Sequence, residues 1–266
     1  METQAEYLSL AKDYYNIPRM SNSAMSHFRK SPKHYLHYIS QPQEETEAMI
    51  FGRAFHCAVL EPDNFSHDYA VMPNIDRRTK EGKEKYEQFK AEAGSRTVLT
   101  IAQRDHIVRM SEALYAHRPS RELIDAIGET EKPVLWKDEI TKVEMKAKLD
   151  AIGPNFILDL KTTQDAQPEE FARSAWYYNY HRQAAVYLDG LQSKSDFYFI
   201  AIEKEEPHGI SVLKCTAEFI QKGREQYEQI LQDFIYWQSQ GSPNVGYEFR
   251  NPFNVFDLNV PNFIKL

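Results

Sequence analysis

The 266-residue sequence predicts an α/β (α+β) fold: a central mixed β-sheet flanked by helices, with an α-rich N-terminal half. Three observations predict it. Residues 21–39, 44–60 and 100–127 carry apolar side chains at helical spacing. At about residue 131 the texture changes to short β-prone segments divided by turn signals such as Gly153-Pro154-Asn155. A helical stretch then separates two groups of strands, and helices on both faces of a sheet are the simplest way to bury it.

The first helix spans 21–39, capped by Ser21 or Ser23, with Met25, Phe28 and Tyr35 on one face and Pro32 as a break or kink. A second covers 44–60 and includes Gly52-Arg53-Ala54-Phe55-His56. Residues 72–96 are polar, and 76–83 read as an exposed charged loop leading into a helix. One or two amphipathic helices fill 100–127. Strands follow at 132–140, 144–152 and 156–162, then a helix at 168–191 with Pro near its start and Gly190 near its end. Strands at 195–204 and 209–216 and a helix at 217–240 complete the core. The tail, 241–266, is irregular but apolar and is expected to pack back. No Gly/Ser/Pro-rich linker intervenes, so the expectation is one domain over 1–266: a helical part to about 130, a sheet core over about 131–240, and the tail.

The net charge of −7 argues against coating of nucleic acid through bulk charge, but not against a local basic groove. Two cysteines, Cys57 and Cys215, are too few for a disulfide framework or a four-cysteine metal site. The N-terminus has no signal-like apolar segment, and the longest apolar run, 197–202, is too short to span a membrane. The expectation is a cytoplasmic protein with no membrane association.

Chemistry concentrates at Lys148-Leu149-Asp150-Ala151-Ile152 and Ile157-Leu158-Asp159-Leu160-Lys161-Thr162-Thr163. Residues two apart on a strand share a face, so Asp159 and Lys161 project together. A hairpin through Gly153-Pro154 brings Asp150 near Asp159. Two carboxylates and an ammonium on one face suit Mg²⁺-assisted phosphodiester hydrolysis. The bland alternative is an exposed Asp-Lys ion pair of little consequence. The apolar neighbours of Asp159 oppose it, because a buried carboxylate requires a partner or a metal. His56, alone in an apolar helix, reads as a satisfied core residue, and Glu131 is uninformative by itself. Trp176, Tyr180, Gln183 and Tyr187 share one face of the 168–191 helix. Packing explains Trp176. The amide of a buried Gln183 needs a partner, and a phosphate or a water near a metal would serve.

Five motifs in order give a family resemblance: Ser-Asn-Ser-Ala-Met-Ser-His-Phe-Arg-Lys-Ser-Pro at 21–32, Gly-Arg-Ala-Phe-His at 52–56, Arg-Arg-Thr-Lys-Glu-Gly-Lys at 77–83, Leu-Asp-Leu-Lys-Thr-Thr at 158–163, and Gln183-x-x-x-Tyr187. From about Met20 to Gln240 the chain resembles the phage and prophage exodeoxyribonuclease VIII (RecE-like) nucleases. These belong to the PD-(D/E)xK superfamily with lambda exonuclease and the RecB nuclease domain, and the resemblance implies their restriction-endonuclease-like core. It implies His56, Asp150, Asp159 and the Leu160 carbonyl as ligands of Mg²⁺ (or Mn²⁺), Lys161 as the catalytic lysine, and Glu131 at the active site. Gln183 and Tyr187 would line the centre and position substrate. Arg53, Arg77, Arg78, Lys80 and Lys83 become candidate DNA contacts, as does the helix around Arg29, Lys30 and Lys33.

The second acidic position is Asp159 rather than Glu, as in RecE-like members. The cysteine cluster of iron–sulfur relatives is absent. The family implies 5′-to-3′ degradation of linear double-stranded DNA from its ends, 3′ single-stranded tails for recombination, a single-strand annealing protein as partner, and a homo-oligomeric ring. The alternatives are an endonuclease of restriction or repair type on the same centre, a non-catalytic DNA-binding module, and a hydrolase of another substrate, which would leave 77–83 without a role.

Overall fold

The computed structural model describes residues 14–41, 45–251, 255, 256 and 258. Five strands form the main sheet in the order β3-β4-β5-β6-β7: β3 (Glu129–Lys137), β4 (Glu144–Ile152), β5 (Phe156–Thr163), β6 (Asp196–Glu203) and β7 (Ile210–Lys214). The β5–β6 pair is parallel and the other three pairs are antiparallel, so the sheet is mixed. A second, two-stranded parallel sheet pairs β1 (Tyr69–Met72) with β2 (Thr97–Thr100).

The helices are α1 (Asn22–Lys30), α2 (Pro32–Ser40), α3 (Glu47–Leu60), α4 (Lys80–Ala93), α5 (Ile101–Ala116), α6 (Arg118–Asp125), α7 (Pro168–Tyr177), α8 (Tyr180–Gly190) and α9 (Ala217–Ser239). Their starts follow local chemistry. Ser21 Oγ accepts from the Ala24 N–H at 3.2 Å. Ser31 caps α2, where Pro32 takes the first-turn position that needs no N–H donor. Thr100 and Gln103 form a reciprocal capping box on α5.

Alternation along β5 divides the core. Leu158 and Leu160 pack with Phe51, Phe55, Ile107 and Met110 from α3 and α5. Ile157 packs on the opposite face with Phe171, Ala184 and Leu188 from α7 and α8. A third cluster joins α1, α8 and α9 through Phe28, Val186, Ile230 and Trp237. Each fully buried Phe or Leu contributes roughly 1.5–3 kcal/mol. Gly223 lets α9 cross α8 closely: a Cβ there would lie 1.9 Å from the His181 carbonyl oxygen.

Several boundaries differ from the sequence expectation. The 168–191 segment is two helices, broken where Asn179 takes a left-handed conformation (φ 61°, ψ 38°). The shared face of Trp176 and Tyr180 is therefore lost, and Trp176 is 53% exposed, with one ring face on His181 instead of in a packing stripe. The first core strand begins at Glu129, so Glu131 lies inside it. That strand stops at Lys137 because the Asp138 carboxylate accepts from the Thr141 N–H at 2.7 Å and closes a turn. The polar segment 72–96 contains α4 and is flanked by the paired strands β1 and β2, whose four residues each are too few to show alternation. Of the tail, Phe249 meets Phe28 edge-on at 5.9 Å. Residues 252–254, 257 and 259–266 lie outside the described residues.

Candidate metal and active centre

The ladder between β4 and β5 ends after two pairs, Ala151 with Leu158 and Ile152 with Ile157. The next opposed positions are Asp150 and Asp159. There the strands part, and the Asp150 carboxylate accepts from the Leu160 N–H at 3.0 Å. A side chain thus satisfies a backbone donor that the ladder abandons. The hairpin does bring the two aspartates into one electrostatic environment: each sits near Lys161, and Asp150 raises the Asp159 carboxyl.

Two sub-clusters meet at this gap. In the first, His56 from α3, Glu131 from β3 and Asp150 from β4 offer donor atoms all within 4.8 Å of one another. His56 Nδ1 lies 3.4 Å from Asp150 Oδ2, and the Leu160 backbone hydrogen-bonds to the His56 ring. Glu131 adopts a left-handed φ of 51° within its strand. Its neighbours Thr130 and Lys132 pair normally with Ala151 and Leu149. Its carboxylate also meets Lys148 Nζ at 2.5 Å.

In the second sub-cluster, Asp159 is fully buried and Lys161 Nζ lies 2.5 Å from its Oδ1. Gln183 Nε2 donates to Asp159 Oδ2, and Gln183 also hydrogen-bonds to Tyr187. Lys161 sits over the Tyr180 ring, 4.7 Å from its centroid. The partner of Gln183 is therefore the carboxylate itself, not a phosphate or a water.

Three carboxylates here face two lysines. Burial, opposed in part by Lys161, pushes the Asp150 carboxyl up to about 6. Burial and then Asp150 push Asp159 up to about 6. Burial acts to depress the Lys161 ammonium, but Asp159 and Asp150 outweigh it and hold its pKa above the usual value. Burial and Lys161 together lower His56. A carboxylate-rich, partly desolvated site short of positive charge fits a divalent cation. Carboxylate oxygens suit Mg²⁺, and the imidazole in the set also suits Mn²⁺.

The structure brings His56, Glu131, Asp150, Asp159, Leu160, Lys161, Gln183 and Tyr187 into one neighbourhood. The His56–Asp150 group is completed by Glu131 rather than Asp159, whose oxygens are engaged by Lys161 and Gln183. The proposed DNA contacts make other contacts or stand exposed. Arg53 pairs with Glu45. Arg77 covers the Tyr86 ring at 4.6 Å, and Arg78 pairs with Asp76 at 2.8 Å. Lys80 and Lys83 are exposed on the first turn of α4. Among the described residues none of these five enters the ion network at Asp159.

Sequence reasoning missed Lys148. Its only signal was that it lies two residues before Asp150 on the same strand. It also missed Arg182, a fully buried guanidinium bonded to Asn22 at 2.8 Å and Gln226 at 3.1 Å, which ties α8 to α1 and α9.

A family model described as "PDDEXK-like domain of unknown function (DUF3799)" matches residues 21–244. No match was found among curated proteins. Among solved structures, the chain is similar to one described as a "Putative exonuclease" from Eubacterium rectale. That likeness has a TM-score of 0.57 at 15% identity and covers 98% of this chain and 96% of that one. At that identity it is a likeness of fold. A second structure, SSO0001, stands at 12% identity and a TM-score of 0.29, covering 73% of this chain and 81% of that one, too distant to carry an argument.

Proposed function

The chain belongs to the PDDEXK-like DUF3799 family, and from that premise we propose that it is a metal-dependent DNA exonuclease. It would hydrolyse phosphodiester bonds of linear double-stranded DNA, 5′ to 3′, and leave 3′ single-stranded tails. The observation that carries the reading is the parted β4–β5 hairpin. It presents Asp150 beside His56 and Glu131, and Asp159 bound to Lys161. The description of the Eubacterium rectale neighbour as a "Putative exonuclease" agrees with the choice of reaction, and the motif order from 21 to 187 agrees with the exodeoxyribonuclease VIII group.

His56, Glu131 and Asp150 would hold the cation; for Asp159 to join them with the Leu160 carbonyl, one of its oxygens would have to leave Lys161 or Gln183. When bound, a divalent cation supplies Lewis acidity toward the phosphodiester and lowers the cost of deprotonating water beside it. The remaining work falls to the chain's own side chains. Lys161, charged at any physiological pH, answers the negative charge that builds on the phosphate and orients the attacking water. Tyr180 beneath it and Asp159 beside it fix its ammonium. Gln183 fixes Asp159 by its amide and reaches Tyr187.

The one-domain organisation, an annealing protein as partner and a ring of copies around the duplex belong to the same proposal, and so do phosphate contacts from Arg53, Arg77, Arg78, Lys80 and Lys83. The test compares DNA topologies. With Mg²⁺, linear duplex should release nucleotides and a closed circle should stay intact. Nicking or linearisation of the circle makes the chain an endonuclease instead. Binding without cleavage in any divalent metal makes it a DNA-binding module.

A further inference from the structure

Three aromatic residues in succession, Trp176, Tyr177 and Tyr178, are 53%, 77% and 58% exposed where α7 ends. Contiguous large rings in water mark a contact surface more often than packing left over. Two of these rings, Tyr177 and Tyr178, are also joined to the catalytic centre. Lys161 Nζ lies over the Tyr180 ring at 4.7 Å. Tyr180 stacks with Tyr178 at 6.0 Å and 28°, and Tyr178 meets Tyr177 edge-on at 5.1 Å. The path thus runs ring to ring from the ammonium beside Asp159 out into solvent.

Two contacts set the shape of this ledge. The left-handed Asn179 turns the chain between α7 and α8, and Tyr177, the last residue of α7, and Tyr178 just after it stand exposed at that turn. Trp176 lies flat on the buried His181 ring at 4.3 Å and 13°, so it is held in place while keeping a face open. A cation stands beside the rings: Arg29, exposed on α1, donates from Nη1 to Asn179 Oδ1 at 3.0 Å.

We infer that Trp176, Tyr177 and Tyr178 form a stacking platform for the unpaired bases of a DNA strand at the catalytic centre, with Arg29 answering its phosphates. The inference rests on the reading of that centre as DNA-cleaving. Bases within a duplex already stack on one another and offer no face, so the occupant is single-stranded: a frayed end or a released tail. Every base has a flat π-face, so such a platform binds without sequence preference. The neighbouring cation matches a polyanion, and the continuity with Lys161 places the occupant's backbone at the reacting end.

The test is fluorescence anisotropy with a labelled single-stranded oligonucleotide and with a labelled duplex closed by hairpins at both ends, both in EDTA to prevent cleavage. Tyr177→Ala/Tyr178→Ala should bind the single strand roughly tenfold more weakly. Tyr177→Phe/Tyr178→Phe, which keeps both rings, should stay within about twofold of the parent. The closed duplex should lose no more than about twofold in either variant, because it offers no unpaired base to stack. Unchanged single-strand affinity in the alanine variant overturns the inference. So does an equal loss on the closed duplex, or an equal loss in the phenylalanine variant. A parent that cuts linear DNA while the alanine variant keeps full affinity overturns the platform alone. A parent that neither cuts nor binds DNA overturns the nuclease reading as well. Both side chains are exposed, so melting temperatures of the variants should match the parent.

Discussion

The β4–β5 hairpin and the segment 76–83 both set acidic and basic side chains close together, and they differ in what surrounds them. In the segment, Asp76 and Arg78 pair in full solvent at 2.8 Å, and Arg77 leans on a surface tyrosine. Each charge there is already hydrated, so the pairing stabilises little. In the hairpin, Asp159 is fully buried against Lys161, and Asp150 and Glu131 stand near with too little positive charge among them. Removing those groups from water is costly, and their mutual repulsion raises the cost. Charge that is buried and left incompletely balanced marks a site. Charge that is merely abundant marks a surface.

The comparison can be broken most decisively at Lys161. Lys161→Ala should lower nucleotide release from linear duplex by roughly 10²- to 10⁴-fold with the circular dichroism spectrum unchanged. A variant within tenfold of the parent would remove Lys161 from the chemistry. One step outward, Gln183→Ala should cost roughly 10- to 100-fold in activity or metal affinity, because it loosens Asp159 without touching substrate. Full activity in that variant would make the Gln183–Asp159 bond a packing detail.

A smaller and differently signed effect is expected in stability. The Asp150 and Asp159 carboxyls are raised from 3.8 to about 6, so the fold disfavours their charged forms. Their contribution is complete below about pH 4 and is lost as pH rises through about 6. In metal-free protein, Asp150→Asn should therefore melt a few degrees above the parent at pH 7.5 and show no such advantage at pH 4. Mg²⁺ or Mn²⁺ should raise the parent's melting temperature at pH 7.5 and barely move it at pH 4.5. A gain from metal that is equal at both pH values would contradict the electrostatic account. The smallest effect belongs to the segment. Arg78→Ala should leave the melting temperature within about a degree and lower the salt dependence of DNA binding by about one in slope. An Arg78→Ala variant with an unchanged slope would place that side chain outside the DNA path.

Much of the core was legible because it follows periodicity and punctuation. The strand carrying Asp159 and Lys161 was readable from its unbroken apolar flanks, and Pro32 and Pro168 mark helix starts by the donor they lack. The break at Asn179 was not, because asparagine reaches the left-handed region without the glycine that usually signals it. Trp176 was misplaced as a result. Glu131 was unreadable for a similar reason: its positive φ within a strand leaves no trace in residue type. The joining of His56 to Asp150 depends on how α3 packs over β5, a contact that no local pattern encodes. The burial of Asp159 was legible, but its bond to Gln183 was not, since a glutamine in an aromatic stripe can turn to any acceptor.

The central claim is that this buried, under-neutralised cluster is a metal-dependent phosphodiester-cleaving centre. Its most direct test is digestion of linear duplex labelled at either the 5′ or the 3′ end, by the parent chain, with Mg²⁺, with Mn²⁺ and with EDTA. The account predicts release of the 5′ label first in the presence of either cation and none in EDTA. Undiminished release in EDTA, or no release with either cation, would contradict it.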